Sequence, residues 1–535
     1  MRRYRIIIVS VLILSGGGAR LDAQAPPDLS PLSVEAERTL FLRACGLFNR
    51  EALPPGSPHI PDRAVCGTPV VMALASNWHR LSKTTREAFA TLFQRPIAER
   101  TAMSPKGRFR IHYNRTGSHA VAPADADRNG VPDYVDEVGR TFEDVWDLEV
   151  GRMGYDPPPP DGDGVYDVYI RNLAGQSAYG FTYPDVAAGR YASASYMEID
   201  NNYTDSIYGT RGLDGLHVTA AHEFFHAVQF GYYNDIYTSA WWHELTSTWM
   251  EDVAYTDVND YYQYIPEFFR SPGVSLDQEG LHMFGASVYA HYLAKVYGEA
   301  SIRRSWEVLK ERKPSDAGLE HYDAGMPAGG FAGVFPGFAV WNYLTSTRAR
   351  PGYYPEAGNY PAVIPDTAVP GPGMPDSGYG NVDRLAANYI RVFSKGLSGG
   401  LRGAFMLDED ATWTLLVLLV GDQVAVVRAS DASRVEIPDV QRYEQVVFVP
   451  IVTSLEGKRF RYSYTISVDE GITRASDPVG DVNLDGRVNF ADFVGFAGGF
   501  GKKPDEEGYD PRADLNGDGE INFQDFVIFA GHFGE

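Results

Sequence analysis

Only two cysteines, Cys45 and Cys66, occur in the 535 residues, so a disulfide-rich scaffold is excluded and one bridge is the most the chain can form. In an exported protein this pair predicts one disulfide. Basic residues are also scarce: 47 Lys and Arg stand against 70 Asp and Glu, a formal charge of -23. That balance excludes nucleic acid and anionic membrane surfaces as partners. Long apolar runs are missing too. Ile6 to Leu14 and the stretch WTLLVLLV, Trp413 to Val420, fall far short of the roughly 20 residues a membrane helix needs. The second is sized for a buried strand, and no transmembrane anchor is expected.

The first segment has the layout of a secretory signal peptide. Arg2, Arg3 and Arg5 precede the apolar run, and Ala23-Gln24-Ala25 offers small residues for cleavage. The expected location is therefore outside the cell or at its surface. Length predicts several domains after residues 1–25. Residues 26–105 form an N-terminal segment or propeptide with one helical stretch over 70–93. Strand-like pieces follow, RFRIHY (108–113), VYDVYI (165–170) and SASYMEID (193–200), and then helices over about 215–231, 241–255, 281–297, 299–312 and 331–344. A small sheet followed by helices makes 106–350 an α+β catalytic domain. Residues 351–380, dense in Pro and Gly, read as a linker or loop. Residues 381–470 alternate in strand-sized pieces and predict a β-sandwich module for binding or spacing. A small helical domain over 477–535 completes a multidomain chain.

The chemistry concentrates at residues 222–226, His-Glu-Phe-Phe-His, with seventeen residues between His226 and Glu244, which lies in WWHELTSTWMED. Residues four apart share a helix face, so His222 and His226 present imidazoles to one point and Glu223 lies beside them. With Glu244 as third ligand, the set leaves one tetrahedral position open, as a catalytic Zn2+ site does. Glu223 is then the general base that takes a proton from the attacking water. Glu251, two turns beyond Glu244, is a candidate to orient a ligand histidine.

Two near-identical loops mark the tail: DVNLDGRVNFAD at 481–492 and DLNGDGEINFQD at 514–525, thirty-three residues apart. Calcium loops need oxygen donors at positions 1, 3, 5, 7, 9 and 12 and Gly at 6. The first loop supplies Asp481, Asn483, Asp485, Arg487 by its carbonyl, Asn489 and Asp492. The second supplies Asp514, Asn516, Asp518, Glu520 by its carbonyl, Asn522 and Asp525. From 477 on, 13 acidic and 4 basic residues give a net of -9, a charge that Ca2+ would relieve. A third stretch, DADRNGVPDYVD, has the same spacing in Asp125, Asp127, Asn129, Asp133 and Asp136, with Gly130 at position 6.

The paired loops, each ending in Asp and followed by one helix, resemble a type I dockerin, which implies two calcium ions and a cohesin-like partner. The Phe-rich DFxxFAxxFG helices resemble more closely the dockerin-like repeats ending many exported bacterial enzymes. Residues 105–360, through FRIHY, DADRNGVPDYVDEV, YDVYI, HEFFHAVQF, WWHELTSTWMED and FAVWNYL, resemble the gluzincin clan and a family of exported myxobacterial metallopeptidases. The resemblance implies a zincin-like fold and a protein or peptide substrate, bound along an edge strand placed at SASYMEID. Without a Gly-x-Met-Glu-Asn motif, an endopeptidase is the better expectation. In aminopeptidase-type gluzincins a tyrosine before Gly-Ala donates to the oxyanion; here LHMFGA puts His282 in that place, with Tyr289 and Tyr255 as alternatives. Two rival readings are a non-peptidase zinc hydrolase and a non-catalytic extracellular adhesion protein.

Overall fold

The computed structural model describes residues 30–534 apart from 49–52, 54–64, 161, 185–190, 192, 235, 315–317, 473–477, 484–485 and 507. The expected signal peptide and Asp485 lie outside the described residues. The N-terminal segment contributes helices α1 (Val34–Phe48), α2 (Thr68–Ser76) and α3 (Lys83–Phe89). The helical stretch expected over 70–93 is interrupted after Ser76. Ser82 starts a new helix because its hydroxyl accepts from the Thr85 N–H, satisfying a donor the helix itself cannot.

A five-stranded sheet follows, built from β1 (Arg100–Met103), β2 (Phe109–Tyr113), β3 (Tyr166–Arg171), β4 (Gly180–Pro184) and β5 (Ser195–Asp200), with α4 (Asp133–Trp146) after β2. The spatial order is β1-β2-β3-β5-β4. Strands β2, β3 and β5 run parallel, whereas β1 and β4 are antiparallel to their neighbours. This corrects one expectation: SASYMEID is not the edge strand. β5 is paired on both sides, and the edge on that side of the sheet is β4, a strand with so little alternation in GFTYP that its pattern did not reveal it.

Helices α5 (Gly212–Gln229) and α6 (Ile236–Ala254) cross this layer, with α5 packed on β4, β5 and α4. From Leu216 on, nearly every α5 side chain is buried. Its polar members, Thr219, His222, Glu223, His226 and Gln229, recur at three- and four-residue intervals, so they share one face of an otherwise apolar helix. Six more helices enclose the other side: α7 (Ile265–Arg270), α8 (Leu281–Gly285), α9 (Ser287–Tyr297), α10 (Ala300–Arg312), α11 (Leu319–Asp323) and α12 (Phe331–Tyr343). The helix expected over 281–297 is divided between α8 and α9. Gly285 lies where a Cβ would stand 2.6 Å from the Tyr264 carbonyl oxygen, which lets α8 approach that backbone closely.

Beyond residue 365 come β6 (Asp366–Ala368), β7 (Asp376–Val382), β8 (Ala386–Ala387), β9 (Ile390–Phe393), β10 (Gly400–Leu407), β11 (Trp413–Val420), β12 (Val424–Arg428), β13 (Val435–Ile437), β14 (Gln445–Val452) and β15 (Phe460–Asp469). They form a sheet of order β13-β10-β15-β7 facing a second of order β12-β11-β14-β9-β6, with β8 beside β14. Strands β6 and β7 fall inside the stretch read as a linker, so the module begins earlier than residue 381. Its apolar run is explained by two-sided burial. Leu415, Val417 and Leu419 enter the sandwich core, while Leu416, Leu418 and Val420 join the core of the first domain. The module is therefore fused to the helices, not tethered to them.

The predicted disulfide does not form. Cys45 packs on α1 among Leu40, Leu74 and Phe89, whereas Cys66 reaches α5, and both thiols are free. The chain ends with α13 (Phe490–Gly499) and α14 (Phe523–His532). Among the described residues no helix is long and apolar enough to cross a membrane.

Candidate functional site

α5 and α6 bring His222, His226 and Glu244 together, and one further residue joins them: ligand atoms of Cys66, His222, His226 and Glu244 all lie within 4.8 Å of one another, and all four side chains are buried. The Glu244 carboxylate stands 3.2 Å from His222 Nε2 and 3.1 Å from His226 Nε2. The two imidazoles are 4.8 Å apart between centroids and nearly perpendicular, at 77°.

The outer partners decide which nitrogen faces inward. Gln229 spends its amide N–H groups on the His243 carbonyl, Thr246 Oγ1 and Ser247 Oγ, each at 3.1 Å, so its Oε1 is turned to His226 Nδ1 at 2.8 Å. Glu251 Oε1 lies 2.6 Å from His222 Nδ1. Both Nδ1 atoms therefore donate outward, and both Nε2 atoms present lone pairs to a carboxylate that can only accept. Three acceptors converging in a buried pocket favour positive charge between them, a metal ion or a second proton on an imidazole. Consistently, Glu244 Oε1 has no aligned donor despite its closeness to His226.

The electrostatics agree. Burial pushes the Glu244 carboxyl up, yet His226 and His222 hold it down at about 2. Burial lowers the His222 imidazole, but Cys66, Glu244 and Glu251 raise it well above the ordinary histidine range. Burial pushes Glu251 up to about 8 against the opposing pull of His222. The pocket favours positive charge at the point where the three side chains meet. Two imidazoles, a carboxylate and a thiol suit Zn2+ and not Ca2+, which takes oxygen ligands.

Glu223 points into the same space without joining that set. Its Oε2 accepts from Thr68 Oγ1 at 2.9 Å and Thr182 Oγ1 at 2.7 Å, and Cys66 Sγ is 3.3 Å from Oε1. Gly180 makes room for it: a Cβ there would stand 2.7 Å from Glu223 Cγ. The surrounding cavity is lined by Cys66, Tyr179, Thr219, Tyr264, Asp260 and Phe284, among others. His282 is not among these lining residues. Its ring packs 5.1 Å from Phe268, and burial lowers its pKa to about 4. The alternatives do no better, for Tyr289 donates to Met326 Sδ and Tyr255 stacks on His217. Motif likeness placed His282 correctly in the sequence pattern, but the helix it starts turns that side chain elsewhere. Sequence reasoning missed Cys66, Thr68, Thr182 and Gln229, of which only Gln229 offered a signal, by continuing the polar face of α5.

In the tail the described residues of both loops share the same hydrogen bonds at positions 1, 6 and 12. The Gly486 N–H donates to Asp481 Oδ2 at 2.8 Å and the Gly519 N–H to Asp514 Oδ2 at 2.9 Å, each glycine at positive φ. Asp492 accepts from the Asn483 and Asn489 N–H groups, and Asp525 from those of Asn516 and Asn522, so each position-12 aspartate also caps its helix. Carboxylates of Asp514, Asp518 and Asp525 converge. Glu520 directs its carboxylate to Lys503, leaving the backbone to face the loop, and Arg487 holds the same position in the first. The third loop matches in part: Gly130 donates to Asp125, and Asp125, Asp127 and Asp133 converge. Asp136, at position 12, is not part of that convergence but accepts from Asn129 Nδ2 of the same loop.

Residues 479–533 match the type I dockerin domain, and this segment of the chain is such a domain, of a class that binds calcium and docks onto cohesins. No curated protein matches the chain. A solved structure similar to it in part is a family GH115 4-O-methyl-alpha-glucuronidase with specificity for decorated arabinogalactans, 9% identical over 61% of this chain. This chain spans 57% of that structure, and the TM-score of 0.13 carries no argument about fold or activity.

Two outcomes follow from the geometry. Glu251→Ala, which frees His222 Nδ1, should weaken zinc binding about 10–100-fold in competition with a chelating dye; unchanged affinity would remove Glu251 from the site. Residues 477–535 should gain helical circular dichroism on adding calcium and lose it with chelator. Asp481→Ala with Asp514→Ala should abolish the response, and a spectrum indifferent to calcium in the parent segment would refute the loop assignment.

Proposed function

We propose that the chain is a secreted zinc-dependent metallopeptidase, acting as an endopeptidase, with a zincin-like catalytic domain and a dockerin tail that attaches it to a cohesin-like partner. The observation that carries this reading is the convergence of His222 Nε2, His226 Nε2 and the Glu244 carboxylate on one point, with Glu223 beside them on the same helix. His222, His226 and Glu244 would hold the zinc. Bound there, zinc supplies Lewis-acid chemistry, acidifying water and polarising a carbonyl.

The protein groups divide the remaining work. Thr68 and Thr182 occupy Glu223 Oε2, so Oε1, held here by the Cys66 thiol, is the oxygen that takes a proton from the attacking water once the thiol is displaced and later delivers it to the leaving amine. Glu251 and Gln229 keep both imidazoles in one tautomer through the cycle. Substrate backbone binds in extended form along β4, the antiparallel edge strand that passes Glu223 at Gly180. In the tail, Phe490, Val494 and Phe500 are exposed, and so are their repeats Phe523, Val527 and Phe533, giving two equivalent apolar faces for docking.

Glu223→Ala should retain zinc, measured by metal analysis, while cutting a denatured protein about 10²–10⁴-fold more slowly under conditions where the parent cuts. Parent-like cleavage by the variant, or parent cleavage indifferent to a zinc chelator, would reject the mechanism. Mass spectrometry of internal cut sites distinguishes an endopeptidase from an enzyme trimming termini.

A further inference from the structure

A catalytic zinc site keeps one position for water, yet here a fourth donor from the protein already occupies the space. Cys66 Sγ stands 3.5 Å from His226 Nε2 and belongs to the same buried set as His222 and Glu244. Two nitrogens, one carboxylate oxygen and one sulfur make a complete set of four protein donors, which leaves no position for water.

The residues around Cys66 close the neighbouring features as well. The Val65 N–H donates to the Ser177 carbonyl, the Tyr179 N–H to that of Val65, and the Gly67 N–H to that of Gly180, so 65–67 pair with 177–180, the stretch leading into β4, on the side that β5 leaves open. Thr68 Oγ1 then accepts from the Thr182 N–H and donates to Glu223 Oε2. One four-residue stretch thus covers the edge strand, contacts the base and supplies a sulfur beside the metal ligands. Gly67 permits it, because a Cβ at that position would stand 1.9 Å from the Phe181 ring on β4. An edge strand is commonly covered by some element. Covering it with a thiol aimed at two imidazoles is a more specific arrangement.

We propose that Cys66 is a fourth ligand to the zinc and that residues 65–68 hold the site closed, so that the chain is latent until this stretch is lifted from β4. The proposal rests on the zinc-site reading given above. It assigns the N-terminal segment an inhibitory function and makes its departure, not substrate arrival alone, the event that opens the water position. A chain so closed hides its activity in proportion to the closed fraction: with about 99% closed, the apparent rate falls about a hundredfold.

Zinc K-edge X-ray absorption on the full-length zinc-loaded chain tests the ligand directly, without any variant. The expected spectrum has one sulfur at about 2.3 Å together with nitrogen and oxygen neighbours at about 2.0–2.2 Å. Cys66→Ser should keep zinc and lose the sulfur shell, and Cys66→Ala should cleave a peptide at least about tenfold faster than the parent. Gly67→Ala retains the thiol but crowds Phe181, and should lower the sulfur occupancy while raising the rate. Bound zinc without a sulfur neighbour overturns the proposal and leaves the peptidase reading standing. A sulfur shell with no gain of rate in either Cys66 variant or in Gly67→Ala overturns latency. Failure of the parent to hold zinc at all overturns the metal-site reading and this proposal together.

Discussion

Two N–H groups that point away from the centre of this molecule determine what its centre can hold. His222 Nδ1 is fixed on Glu251 and His226 Nδ1 on Gln229. The inward nitrogens are thereby left as lone-pair donors facing Glu244, in a pocket where water cannot screen the conflict. Low dielectric raises the cost of leaving these acceptors uncompensated, and the same low dielectric strengthens whatever cation relieves it. The packing of α5 against α6, the apolar flanks of both helices and the sheet beneath α5 serve that arrangement by keeping it dry and by keeping the rings from rotating.

How much of this was readable in the sequence depends on whether helix geometry or tertiary packing supplies the contact. His222, Glu223 and His226 are placed by the helical repeat alone, and Glu251 by the repeat on α6, so their convergence was legible. Cys66 was not. It lies 157 residues from Glu223 and reaches it only because 65–67 add to β4. Spacing to Cys45 suggested a bridge, but spacing carries no information about which cluster each cysteine enters. SASYMEID was recognisable as a strand and misplaced in order, because period-2 patterning specifies faces and says nothing of neighbours. His282 shows the converse error, since a familiar local pattern does not determine where the helix it begins is docked.

The same distinction holds in the later domains. The tail loops were legible because each is closed by its own backbone: position-6 glycines, position-1 carboxylates and position-12 caps are all local. The sandwich was legible as strands, but its boundary was not. Pro and Gly density over 351–380 suggested a linker, whereas β6 and β7 use that stretch as sheet edges, where proline-rich chain is tolerated. The unbroken run in β11 records a fact that alternation would have concealed, namely that a second domain lies against its other face.

Two kinds of candidate metal-binding set are kept apart in this chain by donor type. The loops at 125–136, 481–492 and 514–525 offer side-chain and backbone oxygens, a hard set that a soft-ligand metal has little reason to prefer. The α5–α6 pocket offers imidazoles and a thiol fixed by hydrogen bonds from behind, and a hard ion would lose more hydration there than such donors return. Softness alone would not suffice, because imidazole also binds other transition metals. Two imidazoles, a thiol and a carboxylate within 4.8 Å of one another narrow the choice further. The fold therefore separates the donor types: the sheet and helices bury the imidazoles and the thiol of one cluster, and the loops gather oxygen donors alone.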